Sequence, residues 1–433
     1  MLNRLHAILV ISVLSLPFAT GLAHASETAE LAPFKMIRSL QYVQDSVVLG
    51  DHSAIEMQRF MLGAIDKRLR AVDPLAFRDP RNVDAALVYA MSGGNPDTLK
   101  YLADRDIDGN FDSRVTDALR QYLRGKGPLM VENLSKAAPE YRNSRIGPYL
   151  FLILANATSQ QDPVAAMKYY DWARLTAPGT IIEEAALRRS VFLATRANEP
   201  DKGFRYALNY ARRYLTSPYA SQFADVFVEL AVANFDEAAE QRVSEILAFM
   251  DRSRQREVYL RVARRAAIGG NQALARLASK RAEELAEDAG SQSQLLANFY
   301  EGIATVPSPD VFSATQMISA IPDEKLSLRD RALREAAKAI ADAVVRPPQD
   351  DSSTQAAQPT TDGSVRVERL TDTEETGSGM SPFGQPIETP PPAPKDGGGA
   401  ELAASNDPVL EGFLANGRSK LEEIDALLKE EGQ

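Results

Sequence analysis

Cysteine is absent from all 433 residues, and histidine occurs only three times. Without cysteine there are no disulfides, no thiolate nucleophile and no lipid anchor on an N-terminal Cys. Two of the three histidines, His6 and His24, fall in the leader described below, which leaves His52 for any mature chemistry. One His and no Cys cannot supply a usual zinc ligand set. There is no Gly-rich phosphate loop and no Gly-x-Ser-x-Gly elbow. Past the N-terminus no apolar run reaches the ~20 residues that a spanning helix needs. The strongest one, 149–155, has the length of a buried helix segment. An excess of basic charge is also missing, with 49 Lys and Arg against 59 Asp and Glu, so nothing argues for nucleic acid.

What is present begins with an address. Arg4 precedes the apolar run 7–16, Pro17 breaks it, and Ala23-His24-Ala25 closes it with the small residues a signal peptidase reads. That layout predicts a signal peptide over 1–25, cleavage after Ala25 and a periplasmic mature chain. A chain this long exceeds the ~250–300 residues that one compact core supports. Acidity is concentrated at the far end: residues 350–433 hold 17 of the acidic side chains but only 6 of the basic ones.

Residues 26–345 read as an all-α domain. Ala, Leu, Arg and Glu dominate, apolar positions recur at three and four, and β-branched alternation is scarce. Breaks punctuate the pattern at Gly50-Asp51-His52, Asp73-Pro74, Gly93-Gly94-Asn95-Pro96, Gly125-Lys126-Gly127-Pro128, 143–148, Asp162-Pro163, Pro178-Gly179, Glu199-Pro200 and Gly269-Gly270-Asn271. Ser53-Ala54-Ile55-Glu56 reads as a capping box, and Pro163 as a first-turn proline behind a capping Asp162. Pro139, Pro178 and Pro218 each read as closing a helix. Ala166, Tyr170, Ala173 and Pro178 match the second helix of a tetratricopeptide (TPR) repeat, with looser echoes at 203–218 and 270–278. A TPR-like helical-repeat solenoid is therefore expected.

Residues 346–404 are rich in Pro, Gly, Ser and Thr and read as a disordered linker. Over 405–433, Asp407-Pro408 caps an amphipathic helix whose apolar face is Val409, Leu410, Phe413, Leu414, Leu421, Ile424, Leu427 and Leu428. So short a helix on a tether must dock, on its own body or on a partner.

Candidates for chemistry are few. His52 lies in a turn beside a helix cap, with no nucleophile elbow to accompany it. Asp104, Asp106, Asp108 and Asp112, with Gly109 between them, follow the spacing of an EF-hand calcium loop. Val115 stands where the bidentate Glu belongs, and a plain helix-to-helix turn uses the same residues. Neighbouring acids such as Glu283-Glu284 and Glu287-Asp288 read as solvated helix faces. Trp172 reads as core packing. No catalytic residue, cofactor site or metal site is assigned.

The segment Pro33-Phe34-Lys35-Met36-Ile37-Arg38-Ser39-Leu40-Gln41-Tyr42-Val43-Gln44-Asp45, continuing through 50–61, closely resembles the MotC motility proteins of rhizobia and their relatives. Leu208-Asn209-Tyr210-Ala211-Arg212-Arg213-Tyr214-Leu215-Thr216-Ser217-Pro218-Tyr219 supports the likeness, which extends over essentially the whole chain. The resemblance implies a periplasmic protein required for flagellar rotation. It implies binding to the periplasmic part of the stator protein MotB, with control of how ion flux is coupled to torque. A general TPR-type envelope scaffold is the alternative. A lytic enzyme acting on cell wall would need a catalytic domain after the solenoid, where this chain has its Pro/Gly linker.

Overall fold

The computed structural model describes residues 32–286 and 291–346. Among them the secondary structure is helical throughout: seventeen α-helices and three short 3-10 turns, with no strand. The expected signal peptide, linker and C-terminal helix lie outside the described residues.

The predicted breaks all fall at helix ends. Pro96, Pro128, Pro148, Pro163 and Pro200 sit in the first turn of their helices, where a missing N–H leaves no hydrogen bond unmade. Asp162 caps as expected, its carboxylate accepting from Ala165 N at 2.9 Å. The predicted capping box does not form. Ser53 Oγ donates instead to Asp51 Oδ1 at 2.5 Å, because Ser53 already has helical backbone angles. Pro178 follows the end of a helix directly, and Pro139 lies in the 3-10 turn Ala138–Tyr141. Pro218 closes nothing. It lies well past Ala211, in the connection 212–219.

The N-terminal part holds α1 (Pro33–Val48), α2 (Ala54–Ala71), α3 (Pro80–Met91), α4 (Pro96–Asp104), α5 (Ser113–Leu123) and α6 (Gly127–Ala137). There follow α7 (Gly147–Thr158), α8 (Pro163–Thr176), α9 (Ile181–Arg196), α10 (Pro200–Ala211), α11 (Ala220–Ala233) and α12 (Glu237–Leu247). The last described helices are α13 (Arg252–Ile268), α14 (Gln272–Glu284), α15 (Gln292–Thr305), α16 (Val311–Ser319) and α17 (Leu328–Val345). Helices α7, α9, α11, α13 and α15 pack each on the next and form one row. Against that row lie α8 on α7 and α9, α10 on α9, and α14 on α13 and α15.

Small residues make this close layering possible. The TPR-pattern positions Ala166, Tyr170 and Ala173 are all buried in α8, and α10 buries Gly203 and Ala207. A Cβ added at Gly203 would stand 2.7 Å from Leu230 of α11, so the two helices approach where only hydrogen fits. Helix α7 buries every residue from Tyr149 to Ala155, as its apolar run predicts. Packing also reaches across the chain: α1 lies on α9.

The turn between α6 and α7 closes tightly on itself. A Cβ at Gly147 would meet the Tyr141 carbonyl oxygen at 2.3 Å and that of Arg142 at 3.1 Å. Gly147→Ala should therefore lower the unfolding free energy by about 1–3 kcal/mol. Urea denaturation followed by circular dichroism reads the change, and an unchanged midpoint would contradict the close approach.

Candidate functional site

Helix α9 is surrounded, and its charges must find partners inside the protein. Glu184 is fully buried and accepts from Arg188 Nε at 3.0 Å and from the Tyr210 hydroxyl at 2.9 Å. Arg188 also donates to Gln222 Oε1 at 2.8 Å and lies over the Tyr219 ring. On the adjoining side, Glu183 accepts from Gly179 N at 2.6 Å, from Arg213 at 2.8 Å and from the Tyr214 hydroxyl at 2.8 Å. Burial above all, with the neighbouring carboxylate adding to it, pushes the phenols of Tyr210 and Tyr214 well above the usual range.

The same trio of acid, arginine and tyrosine recurs along the chain. Asp66 accepts from Arg70 Nε at 3.3 Å and the Tyr89 hydroxyl at 3.2 Å. Asp171 accepts from Arg174 Nε at 2.8 Å and the Tyr206 hydroxyl at 3.1 Å. Asp330, near the start of α17, accepts from Arg264 of α13 at 3.1 Å and Tyr300 of α15 at 3.2 Å. In each case the tyrosine body fills the gap between helices while its hydroxyl reaches the carboxylate at the edge. These acids hold helix to helix, which is a structural use of charge. Sequence reasoning missed all of them. Two adjacent acids inside the apolar start of α9, Ile181-Ile182-Glu183-Glu184, were the signal available.

The α1–α9 contact is a clasp of polar bonds. Asp45 Oδ1 accepts from Ile181 N, the first residue of α9, at 2.9 Å. Gln41 donates to the Tyr149 hydroxyl at 3.0 Å. Beyond α1, His52 Nε2 donates to the Thr216 carbonyl at 2.7 Å, and Thr216 Oγ1 donates to the Leu49 carbonyl at 3.2 Å. Gly50 turns there with φ of 115°, with Thr216 at 3.0 Å from where a Cβ would be. His52 thus spends its imidazole on a backbone oxygen far along the sequence. Burial pushes the Asp45 carboxyl up to about 6, with the Ile181 N–H opposing the shift.

The calcium-like loop is assembled as a turn. Asp104 pairs with Lys100, Asp108 with Arg78 at 2.8 Å, and Asp106 accepts from Phe111 N at 2.7 Å. Asp112 caps α5 through Arg114 N, and the Arg114 guanidinium holds its carboxyl below the usual range. The four carboxylates face four different partners. Among the described residues no three His, Asp or Glu side chains gather in a metal-binding group. Beneath the loop lies a cleft of about 120 Å³ lined by apolar side chains including Phe77, Leu102 and Phe111. Glu283 and Glu284 are exposed, as expected, while Glu287 and Asp288 lie outside the described residues.

Trp172 departs from expectation. The residue is 37% exposed on α8, its ring resting on Phe151 at 6.1 Å, with the Arg142 guanidinium 3.4 Å from its centroid. The buried aromatic of the TPR pattern is Tyr170, and Trp172 lies on the opposite side of the helix.

Among the described residues, fold and clusters together define an all-helical body in which buried acids join helix to helix. Comparison with known proteins makes the assignment specific. The family model described as chemotaxis protein MotC matches residues 1–433. The chemotaxis protein MotC of Rhizobium meliloti (strain 1021) is 75% identical over 434 residues, spanning all of both chains. The chain belongs to the MotC family, a family of motility proteins. No solved structure matches it.

Two outcomes test the site. Because folding raises the Asp45 pKa from 3.8 to about 6, the folded state holds the proton more tightly. Stability contributed by this group is then present at low pH and lost as pH rises from about 4 to about 6, by at most about 3 kcal/mol. Asp45→Asn keeps the oxygen that Ile181 N–H needs and removes the charge. Thermal melts at stepped pH should show the variant lacking that decline and melting above wild type at neutral pH. Separately, calcium titrated to roughly millimolar, where weak extracellular sites fill, should release no binding heat. A saturable heat signal would mean that the four carboxylates converge after all.

Proposed function

We propose that this chain is a periplasmic, non-enzymatic component of the flagellar motor. It leaves the cytoplasm by a signal peptide cleaved after Ala25, binds the periplasmic part of the stator protein MotB, and controls how ion flow is coupled to rotation. The observation that carries this reading is full-length similarity to the chemotaxis protein MotC of Rhizobium meliloti.

The physical character of the body supports action by contact. We read residues 26–345 as a TPR-like solenoid, in which rows of helices leave a long surface suited to gripping another chain. We read residues 346–404 as a linker between the body and the C-terminal segment. The amphipathic segment 405–433 docks on the body or on a partner. The buried acids are committed to arginine and tyrosine partners within the fold, a use that suits rigidity better than proton transfer.

A strain lacking the protein should assemble flagella of normal number and fail to rotate them. Mature chain immobilised on resin should retain the soluble periplasmic part of MotB. Loss of flagella in the deletion strain would favour a general envelope scaffold, and so would the absence of a complex on the resin.

A further inference from the structure

Arg142 sits 3.4 Å from the Trp172 ring centroid. Arg105, Arg196 and Arg212, the other ring-facing arginines that have no carboxylate partner among the described residues, lie farther from their rings, at 5.0, 5.6 and 5.8 Å. Arg174, stacked on Tyr206, pairs with Asp171, and Arg188, beside Tyr219, pairs with Glu184. Arg142 lies over the indole, and among the described residues no carboxylate pairs with it. A guanidinium stacked on a ring keeps its N–H fork directed outward in the ring plane, where it fits one carboxylate.

The platform beneath is rigid. Phe151, buried in α7, stacks under Trp172 with an interplanar angle of 28° and under Tyr169 with an angle of 25°. Arg142 is fixed from below by the tight Gly147 turn and by its own N–H, which donates to the Pro139 carbonyl at 3.3 Å. Along the same stripe of α8 stand Leu175, 64% exposed, one turn on, and Val164, two turns back. Lys168 lies between Val164 and Trp172 on that stripe. An exposed Trp and Arg held in place, next to accessible aliphatic side chains, have the composition of a binding hot spot. Preorganisation lowers the entropy lost when a partner arrives.

We propose that Arg142 and Trp172 form an anchor for a protein segment that presents a carboxylate beside an apolar side chain. The carboxylate takes the guanidinium fork, and the apolar side chain packs on the exposed indole edge and Leu175. An anionic lipid surface is the poorer fit, since it is read by clusters of cations. Helix α8 adds only Lys168 as a free cation and carries Asp171 as well. The proposal rests on the contact role proposed above, and its test uses the isolated mature chain so that either can fail alone.

Trp172 is the only tryptophan, so its fluorescence reports this site and no other. An acetylated and amidated peptide of alternating Leu and Glu should shift its emission saturably. The same peptide with Gln for Glu should bind at least about tenfold more weakly, a difference of about 1.4 kcal/mol. Arg142→Ala should lose the Glu preference, and Arg142→Lys, which keeps charge without the flat fork, should fall between. Both variants replace an exposed side chain, and an unchanged circular dichroism melt establishes that each is folded. No shift at millimolar peptide, equal response to the Gln peptide, or a response to phosphatidylglycerol vesicles that matches the peptide's would each overturn the proposal.

Discussion

Burying α9 on nearly every side is the constraint that the rest of the protein answers. This helix touches α1, α7, α8, α10 and α11, and its sequence places Glu183, Glu184 and Arg188 where water does not reach. A buried ion left unpaired costs several kcal/mol, so each must be neutralised or bonded in place. The surroundings comply: Tyr210 and Tyr214 come from the end of α10 and the turn after it, and Gln222 from α11. Moving any one of these helices would strand a charge. Charge thereby fixes the register of helices whose apolar faces alone would tolerate sliding.

The clasp from α1 extends that constraint toward the N-terminus. In an array where each unit touches only its neighbours, stability adds up locally and the ends can fray. Here Asp45 reaches the first N–H of α9, and His52 reaches Thr216 across 164 residues. The helices between are enclosed by that bond, so the first half of the body should open as one unit. Asp330 does a similar service near the other end, joining α13, α15 and α17 through one carboxylate. Both devices use an acid close to a helix start, where the backbone N–H groups and the dipole favour negative charge.

Much of the architecture was legible because it is written locally. Prolines in first turns, glycines at turns and apolar recurrence at three and four act within a few residues, and they marked helix ends correctly. Of the boundaries that were missed, those after Thr305 and Ser319 do carry Pro307, Pro309 and Pro322, whereas those near Asn234 and Met250 have neither glycine nor proline. There Asp236 and Asp251 stop the preceding segment and cap the next helix, accepting from Ala239 N and Arg254 N. An Asp in a charged sequence gives little warning of such a role. The capping box at Ser53 misled for a related reason: Asp51, two residues earlier, took the hydrogen bonds.

The sequence by itself determined the helical class, most helix boundaries and the scarcity of residues for zinc or thiol chemistry. Those properties follow from composition and from interactions between residues close in the chain. Only the tertiary structure decided which charges are buried, which tyrosines bond them, and that Trp172 faces outward under Arg142. These choices join residues tens to more than a hundred positions apart, and spacing along the chain carries no signal of them. His52 and the four loop aspartates show the same division. Their residue types suggested chemistry, and the packing around them assigned each to holding a turn or a helix end.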